Sequence, residues 1–244
     1  MVHINLSNKI TTPVLEDNGL PLCWLIQALD CISLTHLFTF GGDQFPYLSK
    51  LELVEYVNPG TVGAVFEYIM KKGVFEAFAH PWDEQLVVDI FSKQEEGVKQ
   101  PFPKPLPKHG MKYRLCDADC MYVAEEENDV YEQSLMGGIV SYLEKDQPVV
   151  VAIPVDGTFQ GRQRNMDPYQ GPLQSRGFTF EEIESHPLIV TGVDDRDPKS
   201  EILYVKNCYG TRFANDGYDL ISANIIKCYE VPLLNRDVNP WIEV

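Results

Sequence analysis

The sequence predicts an α+β fold whose helices and strands occupy separate parts of the chain. Helical signals dominate residues 23–72, whereas the apolar runs typical of strands lie beyond residue 110. Between them, four prolines alternate with other residues over 100–110, which indicates an extended, polyproline-like strap. This order of elements is typical of two segregated lobes. We therefore expect a helical lobe at residues 1–105 and a strand-rich lobe at residues 106–244, within one domain.

The first lobe opens with a predicted helix over residues 23–38 that is apolar on almost every side. Such a helix must be buried on all of its faces. Ser49 followed by Glu52 is a capping-box pattern, which predicts a second, short helix. Residues 61–72 form a third, amphipathic segment, and Gly73 after two lysines is a typical helix end.

The second lobe carries apolar segments that predict strands. Residues 111–123 alternate like a strand, and an acidic stretch then leads into a predicted helix over residues 130–143. Buried strands are predicted at residues 149–153, 188–193, 202–206 and 217–221. The intervening stretch 154–185 is rich in Gly, Pro, Gln and Arg, so we expect it to be a long irregular excursion.

The composition argues against some classes of function. The 244 residues carry a formal net charge of −16, with a pI near 4.6. Binding to nucleic acid or to an anionic membrane would need a basic face. No window looks apolar enough for the 18 or more residues of a membrane span, and the N-terminus has no secretory pattern. We expect a monomer with neither nucleic-acid nor membrane partners.

The six cysteines lie at spacings that predict no disulfide framework. We interpret them as reduced, which favours the cytoplasm or another reducing compartment. A vacuolar or secreted protein would need an upstream segment. Cys116 and Cys120 lack zinc-knuckle spacing relative to His109, so we predict no metal site and no cofactor.

Three residues far apart in the sequence are of the types that a thiol nucleophile requires. Cys23 begins the apolar helix, whose N-terminus favours a thiolate. His186 can take the thiol proton and later protonate a leaving amine, and Asn207 can hold the imidazole in one tautomer. Each also has a structural alternative, because a single cysteine in an apolar helix is usually a core residue and a single histidine is more often structural.

An ordered series of segments strengthens the catalytic interpretation. The series consists of Cys23-Trp24, residues 48–54, 64–69 and 79–82, the strand at 147–153, His186 with 188–192, and the Asn207 segment at 204–218. Together they resemble the papain-like cysteine protease family over nearly the whole chain. The resemblance implies a helical N-terminal lobe and an antiparallel, β-barrel-like C-terminal lobe, with the active site in the cleft between them.

The resemblance also implies roles for individual residues. Cys23, His186 and Asn207 would be catalytic. Allowing one deletion places Asn18 at the family's oxyanion-binding glutamine, whereas counting without a gap places Asp17 there. The implied substrate-cleft positions are Gly60, Trp82, Ala152, Ser185 and Tyr209.

The chain departs from the family pattern close to these positions. Leu22 replaces a small residue before the nucleophile, Pro187 follows the histidine, and Tyr209 stands where a tryptophan is usual. Pro59 replaces the first glycine of a Gly-Gly pair. The family's paired cysteines are replaced by Leu20, Tyr56, Val57 and Leu173, and no inhibitory propeptide is recognisable.

Two classes of function follow from the sequence. The first is a cysteine-type endopeptidase that hydrolyses peptides or proteins through an acyl-enzyme intermediate. The second is a papain-fold protein with weakened catalysis that acts by binding or as a scaffold, since fold alone does not fix function. The three catalytic residue types favour the first class. The altered oxyanion position favours the second, because losing one oxyanion donor costs about 10²–10³ in turnover.

Overall fold

The structure is a computed structural model with helices in its first part and antiparallel strands in its second. It describes residues 3–10, 12–16, 20–42, 44–57, 60–95, 105–122, 130–172, 184–194, 196 and 201–244. The α+β class predicted from the sequence is confirmed. The predictions for Asp17, Asn18, Pro59 and Leu173 lie outside the described residues, as does much of the proline strap.

The helices of the first lobe follow the predicted order, with one addition. Their bounds are α1 (Cys23–Phe40), α2 (Lys50–Val57), α3 (Val62–Lys72) and α4 (Glu84–Glu95). The sequence did not lead us to predict α4. Its start carries a recognisable signal, because the Asp83 carboxylate accepts a hydrogen bond of 3.1 Å from the Leu86 N–H.

The helix α1 is the central helix of the molecule, and thirteen of its 18 residues are buried. It is long and apolar enough to span a membrane by length and composition, contrary to our expectation from the sequence. Its burial within the protein accounts for that composition. Its buried polar side chains have partners: Ser33 donates to the Leu29 carbonyl, and Thr35 accepts from the Gln147 amide at 2.7 Å.

The helix α2 begins with half of the predicted capping box. Ser49 Oγ accepts from the Glu52 N–H at 3.1 Å, as the pattern predicts. The Glu52 carboxylate instead accepts from the Phe75 N–H at 2.8 Å and from the Tyr68 hydroxyl at 2.9 Å. The buried Glu52 side chain therefore joins α2, α3 and the following strand, and these contacts take the place of the return hydrogen bond of the capping box.

The second lobe contains a seven-stranded antiparallel sheet. The strands are β1 (His3–Asn5), β4 (Asp117–Tyr122), β5 (Val149–Val155), β6 (Glu184–Asp194), β7 (Ile202–Lys206), β8 (Tyr218–Ser222) and β9 (Cys228–Leu233). Their order is β4-β9-β5-β6-β7-β8, with β1 also paired to β6. Within the described residues this path is open, since no pairing joins β4 to β8 and closes a barrel.

A small three-stranded sheet connects the two lobes. It pairs β2 (Val74–Phe75) and β10 (Trp241–Glu243) on either side of β3 (Met111–Tyr113). Its strands come from both sides of the predicted division at residue 105/106. The single strand expected over 111–123 is thus two strands, β3 and β4, in different sheets.

The central sheet has a separate core on each face. Val150 and Ile189 face the helical lobe and belong to the core around α1. Val149, Val151 and Leu188 point to the opposite face and pack in a second core with α5 (Val130–Leu143). The predicted bounds of α5 are confirmed. The period-2 alternation of β5 and β6 therefore fixes which of their residues face α1.

Candidate active site

The first residue of α1 is Cys23, a partly exposed side chain at the edge of a buried helix. The Leu22 carbonyl accepts hydrogen bonds of 2.9 Å from the Leu25 and Ile26 N–H groups, which starts the helix. The N-cap residue Leu22 offers no side-chain cap to the first turn. The N–H groups of this turn and the helix dipole consequently favour negative charge at the Cys23 sulfur.

Trp24 fixes the position of this helix start. Its indole Nε1 donates to the Pro21 carbonyl at 2.9 Å. On the other side the ring lies against Gly60, where a Cβ atom would fall 2.6 Å from Trp24 Cε3. Gly60 is therefore a close-approach glycine that the packing of Trp24 requires.

His186 and Asn207 come together because β6 and β7 are neighbours in the sheet. His186 lies on β6 opposite Ile153 of β5. Asn207 directly follows β7, where its N–H donates to the Gly217 carbonyl at 2.9 Å. Both side chains are buried, and His186 Nε2 lies 2.8 Å from Asn207 Oδ1.

The hydrogen bonds of Asn207 determine the tautomer of His186. Asn207 Oδ1 also accepts from the Cys208 backbone N–H at 2.7 Å, which identifies this atom as the oxygen. His186 Nε2 must then carry the proton that it donates. In the neutral ring Nδ1 is therefore unprotonated, and it accepts from the Tyr209 hydroxyl at 3.2 Å.

Aromatic side chains cover the imidazole. The Tyr209 ring lies 4.7 Å from it between centroids, and Phe159 lies 5.8 Å away. Phe213 packs on both of these rings, at 5.5 Å and 5.2 Å. Sequence reasoning missed Phe159 and Phe213, because neither adjoins a catalytic residue type in the chain.

This cover makes His186 a weak base. Burial lowers the pKa of His186 from 6.5 to about 4, and the hydrogen bond with Asn207 offsets only part of that effect. The imidazole is consequently neutral at pH 7. A neutral ring can accept a proton at Nδ1, which is the atom that a thiol needs as its base.

Cys23 and His186 line the same cleft, whose volume is about 710 Å³. Tyr209, Leu20, Gly161 and Arg212 are among the other residues of its wall. Cys23, the candidate nucleophile, comes from the helical lobe, and His186, the candidate base, comes from the sheet. The cleft therefore lies between the two lobes, as the sequence predicts.

The five predicted substrate positions lie in different surroundings. Gly60 packs beneath Trp24, and the Trp82 ring lies under Lys50 Nζ at 5.0 Å. Ala152 and Ser185 pair with Pro187 and Pro154 between β5 and β6. Their roles stay predictions, as does that of Asn18, which lies outside the described residues. Tyr209 does line the cleft.

Two further predictions from the sequence concern disulfide bonds and metal binding. The six cysteines, all within the described residues, form no disulfide bond with one another. Within the described ranges, no group of three or more His, Cys, Asp or Glu side chains is placed to hold a metal ion.

Solved structures of cysteine proteases are similar to this chain along almost its whole length. Bromelain from Ananas comosus, in complex with the E64 inhibitor, matches with a TM-score of 0.63 and 17% identity over 96% of this chain and 99% of that chain. A Carica candamarcensis cysteine protease in complex with E-64 matches with a TM-score of 0.64 and 19% identity, with the same coverage. Procathepsin B from Trypanosoma congolense matches at 0.62 and 16% identity, over 95% of this chain and 76% of that chain.

These similarities identify the fold. The chain has the papain-like fold of the cysteine proteases, so the fold that the resemblance implied is confirmed. No family model matches the sequence, and no curated protein matches it. Identities of 16–19% across these three structures establish the architecture alone.

Proposed function

We propose that this protein is a cysteine-type peptidase with Cys23 as nucleophile, His186 as base and Asn207 as the residue that orients the base. The observation that carries the proposal is the buried contact of 2.8 Å between His186 Nε2 and Asn207 Oδ1, with Cys23 on the wall of the same cleft. A nucleophile, a base and an orienting group are the parts that acyl transfer requires. The papain-like fold supports the same reaction class.

The proposed reaction uses the Nδ1 lone pair of His186, which accepts from the Tyr209 hydroxyl in the resting site. Nδ1 takes the Cys23 thiol proton, and the resulting thiolate attacks the peptide carbonyl. The imidazolium then gives that proton to the leaving amine as the C–N bond breaks, which leaves a thioester on Cys23. Water, deprotonated by the same Nδ1, attacks the thioester and releases the acid with return of the proton to the sulfur.

The imidazole of His186 is neutral in the resting site. A base with pKa about 4 makes proton transfer from the thiol less favourable than an unshifted histidine does, by about 3 kcal/mol. The Tyr209 hydroxyl must also leave Nδ1 before the thiol proton arrives. We infer that bound substrate displaces this hydroxyl and thereby completes the site.

The low pKa of His186 and the Tyr209 hydroxyl at its Nδ1 also favour a second function. A weak base whose lone pair already accepts from Tyr209 suits a protein that binds peptides in the cleft without cleaving them. Turnover separates the two functions, because both predict peptide binding and only the first predicts products.

The test is digestion of a mixed peptide library followed by mass spectrometry. The proposal expects new termini with the wild type and none with Cys23→Ala. The matched control is Cys120→Ala, which removes an exposed thiol of β4 and should leave digestion unchanged. Peptides left intact by the wild type, or cut equally by Cys23→Ala, would overturn the peptidase proposal. Intact peptides that nevertheless bind would favour the second function.

A further inference from the structure

Arg212 is an exposed cation on the wall of the cleft that contains Cys23 and His186. It makes no ion pair and no side-chain hydrogen bond with any residue that the structure describes. The chain has 36 acidic residues against 20 lysines and arginines, so its net charge is strongly negative. An arginine that has no partner among the described residues, and that lines the same cleft as the candidate nucleophile, is therefore placed to bind a negatively charged group.

The second arginine of the same wall is already neutralised. Arg162 is buried and forms a two-point ion pair with Asp219, in which Nη2 donates to Oδ1 at 2.8 Å. Nη2 also donates to the Asp167 carbonyl at 2.7 Å. Arg162 thus acts within the fold, and Arg212 is the arginine of this wall whose charge is available to a ligand.

The backbone of the Arg212 loop is held on both sides. The Gly210 N–H donates to the Leu15 carbonyl at 3.1 Å, and the Ala214 N–H donates to the Arg162 carbonyl at 3.3 Å. The next residue, Phe213, is buried against the Tyr209 ring that covers His186. A ligand therefore has to order only the Arg212 side chain, which lowers the entropic cost of binding.

The wall of the cleft also carries a negative charge, the carboxylate of Glu184. It is exposed, lines the same cleft, and lies at the start of β6 opposite Val155. Its carboxylate disfavours a ligand that is negative throughout. The cleft accordingly suits a single carboxylate at the Arg212 position within an otherwise uncharged or mixed segment.

We propose that Arg212 binds one carboxylate of the peptide in the cleft and thereby makes this protein selective for peptides that place a carboxylate at this position. The inference rests on the proposed function for its substrate class and deepens it. Guanidinium and carboxylate groups pair through two parallel N–H···O bonds, which glutamine in the substrate cannot reproduce. An acidic side chain and a peptide C-terminus supply the same group.

The experiment compares matched peptides with the wild type, Arg212→Gln and Arg164→Gln. One Glu is moved along a cleaved sequence and replaced by Gln at each position, with the C-terminus either free or amidated. Arg164→Gln removes the same charge from an exposed arginine that pairs with Asp216 and does not line the cleft. The kcat/KM of each peptide is measured at low and at high salt.

We expect Glu to exceed Gln by about two- to fivefold at one position, as for an exposed ion pair. The preference should vanish in Arg212→Gln, persist in Arg164→Gln and shrink at high salt. A preference that follows the free C-terminus instead of the moved Glu identifies the terminal carboxylate as the bound group. Wild-type cleavage with no preference for either carboxylate, or a preference retained by Arg212→Gln, would overturn the inference.

Binding of fluorescein-labelled copies of these peptides to Cys23→Ala separates this inference from the peptidase proposal. A carboxylate preference in affinity that is lost in the double variant Cys23→Ala/Arg212→Gln supports the role of Arg212 even if the wild type cleaves nothing. Cleavage without that preference keeps the peptidase and rejects the role of Arg212. Equal affinities together with no cleavage reject both.

Discussion

Asn207 is the residue on which the geometry of the candidate site depends. Its Oδ1 accepts from both His186 and the Cys208 backbone, while its buried Nδ2 has no hydrogen-bond partner among the described residues. An unpaired buried donor costs about 1–3 kcal/mol. The unpaired Nδ2 of this amide thus lowers the stability of the fold, whereas its Oδ1 fixes the tautomer of the His186 imidazole.

The hydroxyl of Tyr209 should restrain the reactivity of Cys23. Because this O–H donates to the neutral form of His186, its removal in Tyr209→Phe should raise the pKa of His186 and free Nδ1 for the thiol. We expect alkylation of Cys23 by iodoacetamide at pH 7 to become about two- to tenfold faster, from a hydrogen bond worth about 0.5–1.5 kcal/mol. Peptide mapping by mass spectrometry measures the rate.

The exposed thiols of Cys116 and Cys120 provide internal references for this measurement, since their rates should not change. The aromatic cover is retained in the phenylalanine variant, which isolates the hydroxyl. An unchanged or slower rate at Cys23 would show that the hydroxyl does not restrain the base.

His186 should also make the protein sensitive to mild acid. Its pKa is lowered to about 4 in the folded state against 6.5 in the unfolded chain, so the unfolded state binds the proton more strongly. The stabilisation of the folded state by neutral His186 is complete above pH 6.5. It is lost as the pH falls towards 4, by about 3 kcal/mol in total. Urea unfolding of the wild type and His186→Gln at several pH values measures this difference. Parallel pH profiles for the two proteins would contradict it.

At the scale of elements, a buried ion pair connects α1 to β7. Lys206 Nζ lies 2.6 Å from Asp30 Oδ2 and also donates to Thr12 Oγ1 at 2.7 Å and to the Pro13 carbonyl at 3.0 Å. Burial lowers the pKa of Lys206 and raises that of Asp30. Since Lys206 directly precedes Asn207, this pair connects the helix that begins with Cys23 to the segment that contains Asn207.

Breaking this pair on one side should be costly. Lys206→Met leaves Asp30 buried without its cation, and we expect a loss of about 3–5 kcal/mol in the free energy of unfolding. The double variant Lys206→Met/Asp30→Leu should recover much of that loss. The exposed pair of Lys9 and Asp146 is the control, and Lys9→Met should cost less than about 1 kcal/mol. Equal losses in the free energy of unfolding at the two sites, measured by denaturant titration, would show that the buried pair does not hold α1 and β7 together.

The contact between Trp24 and Gly60 should leave no room for a methyl group at residue 60. Gly60→Ala places a Cβ atom inside the contact distance of the indole, and overpacking of this kind costs about 1–3 kcal/mol. Gly137→Ala in α5 meets open space and should instead be neutral or stabilising, as alanine is in a helix. Thermal unfolding of both variants measures the contrast, and a Gly60→Ala protein as stable as the wild type would refute the tight contact.

At the scale of the molecule, the sequence predicts those elements whose signals are local. The capped helix α3, the buried helix α1 and the regular α5 carry their ends and their periodicity in a few neighbouring residues. The strands β1, β2, β9 and β10 were not predicted. Three of them are only two or three residues long, and all four pair with strands far away in the chain. The ion pair of Arg162 and Asp219, 57 residues apart, is invisible for the same reason.

The same distinction holds for the site. Cys23, His186 and Asn207 were recognisable because each lies in a segment with its own pattern. Their environment was not, since the cover of His186 is built by Phe159 and Phe213 from other parts of the sheet lobe. The low pKa of the base is therefore a property of the assembled fold.

We expect Cys23 to form an acyl-enzyme. The most direct measurement is to mix the protein with a peptide p-nitrophenyl ester, quench with acid within the first turnover and map the acylated peptide by mass spectrometry. A thioester should be found on Cys23 in the wild type and none on that segment in Cys23→Ala, with the exposed Cys116 and Cys120 unmodified. Acylation spread over the exposed cysteines, with none on Cys23, would contradict this expectation.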